Sequence, residues 1–185
     1  PAAKVDDHRQ VIEGTEFAID CDTLLPTVGL IPENELSRGA GVAIHPLTNG
    51  PIVDQHRETS LPGIFAAGNV VHVHDLVDFV SEEAEIAGKY AALEAQGKLA
   101  PADKDIEVVP GNGIRTCVPQ HIQKNGETET VRLFMRVRQP MRKVKLAITS
   151  GGETLMVKNL PVAKPSEMIA VDLPAAKVAG LEATL

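Results

Sequence analysis

The side chains best suited to chemistry stand close together in one short stretch of the sequence. His72, His74 and Asp75 form an H-x-H-D pattern, and two imidazoles beside a carboxylate are ligand types that bind divalent metals. On an extended strand, however, alternate residues share a face in many proteins, and no third ligand stands at a recognisable spacing. We therefore predict no metal site, and an ordinary solvated or capping loop is the simplest interpretation.

The residues before this pattern read TSLPGIFAAGNV, from Thr59 to Val70, in the order turn, strand, glycine. A turn is predicted at 61–63, and a short, fully buried strand at 64–67. Gly68 permits a backbone conformation or a close approach that a side chain would block. Asn69 then stands just beyond the carboxyl end of a parallel-type strand, which is where open α/β sheets bind ligands.

A helix must follow in order to position this loop. Ser81 is a suitable N-cap, and the acids behind it, Glu82 and Glu83, favour the positive end of a helix dipole. Alanine and glycine on one side allow close packing on a sheet, and Gly97 marks the end of the helix. The side chains of Glu82, Glu83 and Glu85 are interpreted as a solvated acidic face.

Shorter elements are predicted upstream. Apolar residues at 11–12 and 17–19 flank a turn-like segment at 13–15 and predict a short hairpin. A compact apolar strand is predicted at 23–28. Asn49-Gly50 is the strongest short-range turn signal in the chain and predicts a second hairpin.

Composition excludes several classes of protein. The chain has 185 residues, of which 43% are hydrophobic, as expected for a folded globular protein. No apolar run approaches the ~20 residues that cross a bilayer, and the first residues do not resemble a signal peptide, so we predict a cytoplasmic protein without a membrane span. Cys21 and Cys117 lack CxxC or metal-ligand spacing and predict two buried thiols.

Charge divides the chain near residue 100. Residues 1–100 hold 16 Asp and Glu against 6 Lys and Arg, a net of −10, whereas residues 101–185 hold 9 against 12, a net of +3. The segment at 96–105, QGKLAPADKD, is polar and follows a predicted helix. We therefore predict a linker and a domain boundary there.

The C-terminal part predicts an all-β domain. Alternating residues at 131–138 and 144–148, with further strands near TLMVKNL and MIAVDL, indicate a small β-sandwich. Its polar face carries Phe134 and a basic stripe of Arg132, Arg136, Arg138, Arg142, Lys143 and Lys145. A solvated face is one interpretation, and docking onto the acidic half or onto a partner subunit is another. Since only one aromatic residue interleaves with the basic ones, nucleic-acid binding is not predicted.

Three segments in a fixed order carry a family resemblance. They read CDTLLPTVGLIPENEL, TNGPIVDQHRETSLPGIFAAGNV and SEEAEIAGKYAA, within about residues 11–96. They closely resemble the late part of the flavoproteins that include thioredoxin reductase and the pyridine nucleotide-disulfide oxidoreductases. Three linked segments are far more specific than one lone glycine motif.

The resemblance implies FAD as cofactor. In that family the segment written here as Thr59–Val70 usually carries an aspartate that hydrogen-bonds the ribityl chain of FAD. Asn69 replaces that acid, so its amide oxygen can still accept a hydrogen bond, but without a charge. The amino end of the helix is implied to face the flavin pyrimidine ring, and the loop at 72–75 to lie near the flavin or the substrate. The implied cofactor contacts are Gly68, Asn69, Val70 and the backbone of Ser81 and Glu82.

The sequence departs from the family at the phosphate-binding loops. No G-x-G-x-x-G occurs in the 185 residues, although the family uses one such loop for FAD and another for NAD(P)H. We therefore expect the C-terminal portion of a longer protein, or a subunit that a partner chain completes, inactive alone. Its expected parts are a return segment from the NAD(P)-binding domain (1–40), the last piece of a Rossmann-like α/β FAD domain (41–100) and the β-sandwich (101–185).

The predicted function is an FAD-dependent, NAD(P)-linked oxidoreductase that acts on a small-molecule substrate in the complete protein. The alternative is a non-catalytic assembly or regulatory module that completes a partner flavoprotein chain. An incomplete parallel sheet exposes an unpaired strand edge, which favours a homo-oligomer. The sequence assigns no catalytic residue, no substrate and no choice between NADH and NADPH.

Overall fold

The chain combines helices with antiparallel strands, and the computed structural model describes residues 1–6, 8, 10–26, 29–100, 104–124 and 129–181. The helices are α1 (Glu35–Gly39), α2 (Val77–Ala95) and α3 (Ala175–Ala179), with a 3₁₀ turn at Gly68–Val70. The strands are β1 (Lys104–Glu107), β2 (Ile114–Val118), β3 (His121–Lys124), β4 (Val131–Val137), β5 (Met141–Ser150), β6 (Glu153–Ala163) and β7 (Ile169–Leu173). Within the described residues, no helix has both the length and the apolar character that a membrane span needs.

Among the described residues, seven strands are present, and all of them lie in the C-terminal half, where they form three small antiparallel sheets. Their orders are β1-β3, β2-β4-β7 and β5-β6. Buried apolar side chains from every strand and from α3 form one continuous core, with Leu133, Leu173 and Leu181 almost completely enclosed. The strands predicted at 131–138, 144–148 and near TLMVKNL and MIAVDL are therefore present, whereas the sandwich arrangement stays a prediction.

Both faces of β4 are covered. Leu133 and Met135 point into the apolar core, as their alternation predicts. Phe134 was expected on the solvated basic face, but only 1% of it is exposed. The expectation is wrong because the N-terminal half packs over that face, where the ring contacts His74 and Phe79.

The N-terminal segment pairs differently from the prediction. The expected hairpin paired 11–12 with 17–19, but Val11 pairs with Val5, and Phe17 exchanges two 2.8 Å hydrogen bonds with Ala2. Residues before the turn therefore supply the pairing partner. Of the strand predicted at 23–28, Thr27 and Val28 lie outside the described residues, and the described remainder is not a strand. Leu24, Leu25 and Ile31 are each about four-fifths exposed.

The hairpin predicted at Asn49-Gly50 is confirmed. Ile44 pairs antiparallel with Pro51, and Asn49 adopts a positive φ of 59° in the turn. A Cβ at Gly50 would come within 1.9 Å of the backbone oxygen of Val71, so only glycine allows this approach. The hairpin consequently lies directly against the chain that follows Gly68–Val70.

The segment predicted as a buried parallel strand is the second arm of another hairpin. Phe65 pairs antiparallel with Glu58, and the N–H of Ala66 donates to the carbonyl of Arg57 at 2.9 Å. Ile64 is 39% exposed. The prediction of a fully buried strand is wrong because, among the described residues, no parallel neighbour covers it. The turn at 61–63 is confirmed.

Helix α2 begins earlier than predicted, since its N-cap lies five residues before Ser81. Ser81 does not cap it, because its hydroxyl donates to the carbonyl of Val77 inside the helix at 3.2 Å. The N-cap residue is Leu76, whose side chain makes no capping hydrogen bond. The helix ends at Ala95, and Gly97 has the positive φ of 62° typical of a helix stop. The predicted linker is only partly described, since residues 101–103 lie outside the described chain.

The two cysteines differ in environment. Cys117 is buried, as predicted, and burial raises the pKa of its thiol to about 12. Cys21 was also expected to be buried but is exposed. That expectation is wrong because the segment around it makes few contacts with the rest of the described chain.

Candidate functional site

A buried carboxylate lies at the centre of the N-terminal half. Glu83, in the second turn of α2, has no solvent exposure. Its Oε1 contacts His72 Nε2 at 2.9 Å, and its Oε2 contacts His74 Nε2 at 3.0 Å. The backbone N–H of Gly68 also donates to Oε2, at 2.9 Å. One side chain therefore ties the helix to the whole loop at 68–74.

Arg57 neutralises this carboxylate. Its Nε lies 3.3 Å from Glu83 Oε1, and the guanidinium is 1% exposed. The two side chains form an ion pair that is not a hydrogen bond, because Arg57 Nε has no hydrogen-bond partner. Arg57 reaches this position from the hairpin at 58–65, where it adopts a positive φ of 68°. A buried charge is tolerated only when it is paired and hydrogen-bonded, and Glu83 meets both conditions.

The ionisation of this cluster follows from its contacts. Burial alone would raise the pKa of Glu83, but the hydrogen bonds from His72 and His74 and the charge of Arg57 outweigh it and hold that pKa well below its usual range. Burial lowers the pKa of His72, and the neighbouring Glu83 only partly opposes this. The network is thus an ionised carboxylate paired with a guanidinium, beside an imidazole that burial keeps neutral.

Glu83 places a carboxylate beside the two histidines, which the sequence spacing did not reveal, so the cluster has the ligand types of a metal site. One ligand atom each from His72, His74 and Glu83 lie within 4.8 Å of one another. Four contacts already satisfy the carboxylate, however, and the Arg57 cation beside it opposes a second positive charge. We therefore interpret the cluster as a hydrogen-bonded network that fixes the loop.

The predicted cofactor residues lie next to this network and differ in exposure. Asn69 is exposed, and its Oδ1 accepts the backbone N–H of His74 at 3.0 Å. Because the side chain is exposed and its oxygen already accepts one hydrogen bond, its amide nitrogen could donate to a ligand. Gly68 is buried with a φ of +72°, and a Cβ there would press on Val80 at 3.0 Å. The carbonyl of Val70 accepts from Asn34 at 3.1 Å.

The amino end of α2 is open to solvent beside Asn69. Leu76 and Val77 are exposed by 52% and 74%, and no side chain caps the first turn. The first four N–H groups of a helix have no partner within it, and they carry the positive end of its dipole. These groups belong to Leu76–Phe79. Ser81 and Glu82 lie one turn further on, so the predicted role of their backbone as a free helix end is wrong.

Part of the basic stripe of the C-terminal half contacts the acidic half, and part of it is exposed to solvent. Arg132 contacts Glu82 of α2 and bridges to Asp172 at 2.7 Å, and Arg136 contacts Asp75 at 3.3 Å. These residues dock onto the acidic half, as one of the two sequence interpretations holds. Arg142 and Lys143 remain exposed on β5.

A further pair of titratable groups lies at 54–56. The Oδ1 of Asp54 accepts the N–H groups of His56 and Glu58, and the His56 ring stacks on Tyr90 with 3.8 Å between centroids. Burial raises the pKa of Asp54 to about 6 and lowers the pKa of His56 to about 4. Both side chains line a cavity of about 670 Å³ with Asp105 and others.

Sequence reasoning overlooked Arg57 and the role of Glu83. Glu83 was assigned to a solvated acidic face, and that assignment is wrong because the helix turns it inward. Glu85, by contrast, is exposed as predicted. Arg57 gave one signal, since a basic residue next to the TSLPGIFAAGNV segment is rare in a half of net −10, but nothing in its spacing indicates a partner 26 positions away.

Comparison with known proteins assigns the N-terminal half. Residues 2–92 match the family described as pyridine nucleotide-disulphide oxidoreductase. The nitric oxide reductase FlRd-NAD(+) reductase of Salmonella heidelberg (strain SL476) is 31% identical over 87 residues, which is 47% of this chain and 22% of that protein. The protein of the same name from Salmonella agona (strain SL483) is 32% identical over the same shares. No solved structure was found to match the chain.

The chain thus spans about a fifth of the length of these relatives. The matched region contains Thr59–Val70, the buried network of Glu83 and almost all of α2. The resemblance to the pyridine nucleotide-disulphide oxidoreductase family is therefore confirmed over residues 2–92.

Proposed function

We propose that this chain is part of an FAD-dependent, NAD-linked oxidoreductase, and that its residues 68–80 contact the flavin. The observation that carries the proposal is the uncapped amino end of α2, which lies close to the exposed side chain of Asn69. The family resemblance supplies the cofactor class, and the printed name of the Salmonella relatives supports NAD as the nicotinamide partner.

The exposed groups fit one part of FAD. The ribityl chain is polar, and the Asn69 amide would donate to one of its hydroxyl oxygens. The pyrimidine ring becomes electron-rich on reduction, and the free N–H groups of Leu76–Phe79 would stabilise that charge. When bound, FAD would supply the hydride-transfer chemistry, which no side chain of this chain can perform.

The remaining contacts have to come from elsewhere. The G-x-G-x-x-G loops that hold the two pyrophosphates do not occur in residues 1–185. We infer that the rest of the same polypeptide, or a partner subunit, supplies them and the small-molecule substrate site. The chain alone is then expected to bind FAD weakly and to be inactive, while Gly68 and Val70 shape the loop beneath the cofactor.

The test uses the full-length protein that carries this chain. We expect it to purify yellow or to become yellow on reconstitution with FAD. In the variant Asn69→Ala, loss of one hydrogen bond of about 1 kcal/mol should weaken FAD binding about fivefold. Asn69→Asp should retain binding, because one carboxylate oxygen can accept the N–H of His74 while the other accepts from a ribityl hydroxyl.

The matched control is Asn112→Ala, because Asn112 is an exposed asparagine in a turn of the C-terminal half. Its FAD affinity should equal that of the unaltered protein. A full-length protein that stays colourless after reconstitution would contradict the enzyme proposal and favour the non-catalytic module.

A further inference from the structure

One face of β4 reaches out of its own domain. Arg132, Phe134 and Arg136 alternate with the core residues and point towards the loop at 72–76 and towards α2. The two halves of the chain meet there, the acidic one and the basic one.

Arg136 makes the densest set of these contacts. Its Nη2 donates to the carbonyl of Val73 at 2.9 Å and contacts Asp75 Oδ1 at 3.3 Å, and its Nη1 donates to the carbonyl of Pro165 at 3.0 Å. The other oxygen of Asp75 accepts the N–H of Met168 at 3.0 Å. Two segments of the C-terminal half therefore hold one loop of the N-terminal half.

Phe134 extends this contact to the helix. Its ring meets His74 edge-on with 5.5 Å between centroids, and it meets Phe79 in the same way at 5.3 Å. Phe79 lies in the first turn of α2. The loop and the helix start that would face the flavin are thus both supported from β4.

We propose that Arg136 is a positioning residue that sets the loop at 72–76 and the first turn of α2 for the flavin; this inference rests on the proposed function. The planar guanidinium fork suits the task because it reaches two carbonyls and a carboxylate at once. Val73 lies between the two histidines that bind Glu83, so a hydrogen bond to its carbonyl directly restrains the position of the loop.

The first test needs no flavin. In Arg136→Ala, backbone hydrogen exchange at Gly68 and His74, whose N–H groups bond to Glu83 and Asn69, should accelerate about tenfold. Exchange in β2 and β7 should not change. Arg136→Lys keeps the charge but not the fork, so an intermediate acceleration is expected, and this variant serves if the alanine variant does not fold.

The second test uses the full-length protein with FAD. Arg136→Ala should weaken FAD binding about tenfold and shift the flavin reduction potential to a more negative value, because a misplaced helix start stabilises the reduced ring less. The matched control is Arg142→Ala, since Arg142 is exposed on the neighbouring strand β5.

The outcomes separate the two proposals. Unchanged exchange at Gly68 and His74 in both Arg136 variants would overturn the positioning role, whether or not FAD binds. A flavin potential equal to that of Arg142→Ala would overturn it as well. A full-length protein that never binds FAD would instead contradict the proposed function and leave the exchange result standing.

Discussion

The two halves of the chain bury different kinds of groups. Among the described residues, the N-terminal half buries four apolar side chains and seven polar or charged ones, whereas the C-terminal half buries eighteen and three. Apolar burial stabilises a fold without demanding exact partners, but a buried charge requires each of its contacts. The C-terminal half therefore supplies stability, and the N-terminal half uses it to hold a polar network in one arrangement.

Removing the Glu83 carboxylate should have the largest effect, and that effect should be confined to the N-terminal half. Glu83→Ala leaves the Arg57 cation buried without its partner, which typically costs about 4 kcal/mol. We expect the loop at 68–74 to lose its protection from hydrogen exchange at pH 7. The thiol of Cys117 in the C-terminal core should remain unreactive towards a thiol reagent.

Glu85→Ala is the matched control, since Glu85 is exposed two positions along the same helix. Glu85→Ala should change neither the hydrogen exchange of the loop at 68–74 nor the reactivity of the Cys117 thiol. If Glu83→Ala proved as well protected as Glu85→Ala, the polar network would not be what holds the N-terminal half.

A cavity in the apolar core should lower stability somewhat less, but it should affect both halves of the chain. Leu133→Ala should lower the free energy of unfolding by about 3 kcal/mol, because Leu133 is 1% exposed in the core. Cys117 should then become labelled. The N-terminal loop should loosen too, because the N–H of Gln120 donates to Val53 at 3.0 Å and joins the halves.

Val157→Ala provides the comparison, since Val157 is 51% exposed on β6. Urea unfolding followed by circular dichroism, together with the labelling rate of Cys117, measures both variants. A loop that kept its full protection in Leu133→Ala would show that the N-terminal half is stable independently.

Lowering the pH should have the smallest effect, and it should destabilise the N-terminal half more than the C-terminal half. The folded pKa of Glu83 is lowered, so its stabilisation is present above the unfolded pKa and is lost as the pH falls. The folded pKa of His72 is lowered as well, so below its unfolded value of 6.5 the unfolded state binds more protons and stability falls. Both groups weaken the N-terminal half as the pH drops from 7 towards 4.

Other groups oppose or share this trend. Asp54, with a pKa raised to about 6, favours the folded state on protonation, whereas its neighbour His56, with a pKa lowered to about 4, acts in the opposite direction over almost the same pH range. Their contributions nearly cancel. Hydrogen exchange at pH 5, corrected for intrinsic rates, should show a less protected loop at 68–74 while Cys117 stays buried. Equal loss of protection in both halves would contradict the assignment.

Sequence patterns predicted the elements whose partners are close along the chain. The strand at β4 follows from strict alternation, and the hairpin at 44–51 follows from Asn49-Gly50. Phe134 fits the alternation too, but a pattern cannot indicate that another half of the chain covers the second face. The start of α2 was placed at Ser81 because a serine followed by acids is a strong capping signal, whereas the structure begins the helix without a side-chain cap.

The site was predictable only where family resemblance applied. The motif from Thr59 to Val70 indicated the loop, and Asn69 lies exposed there. The network beneath it joins Arg57, the two histidines and Glu83 across 26 positions, and these contacts arise from helix register and hairpin geometry, which no short pattern encodes. Partial signals came from the H-x-H spacing and from the basic Arg57 within an acidic half.

Gly50 has a consequence for genetic variation. The obstacle to a side chain there is the main chain of Val71, and a main-chain atom cannot change rotamer to make room. Even the single methyl group of alanine would push the hairpin away from the loop that carries Asn69. In a library randomised at this codon and selected for function, glycine codons alone should survive, so position 50 should tolerate less variation than the exposed position 69.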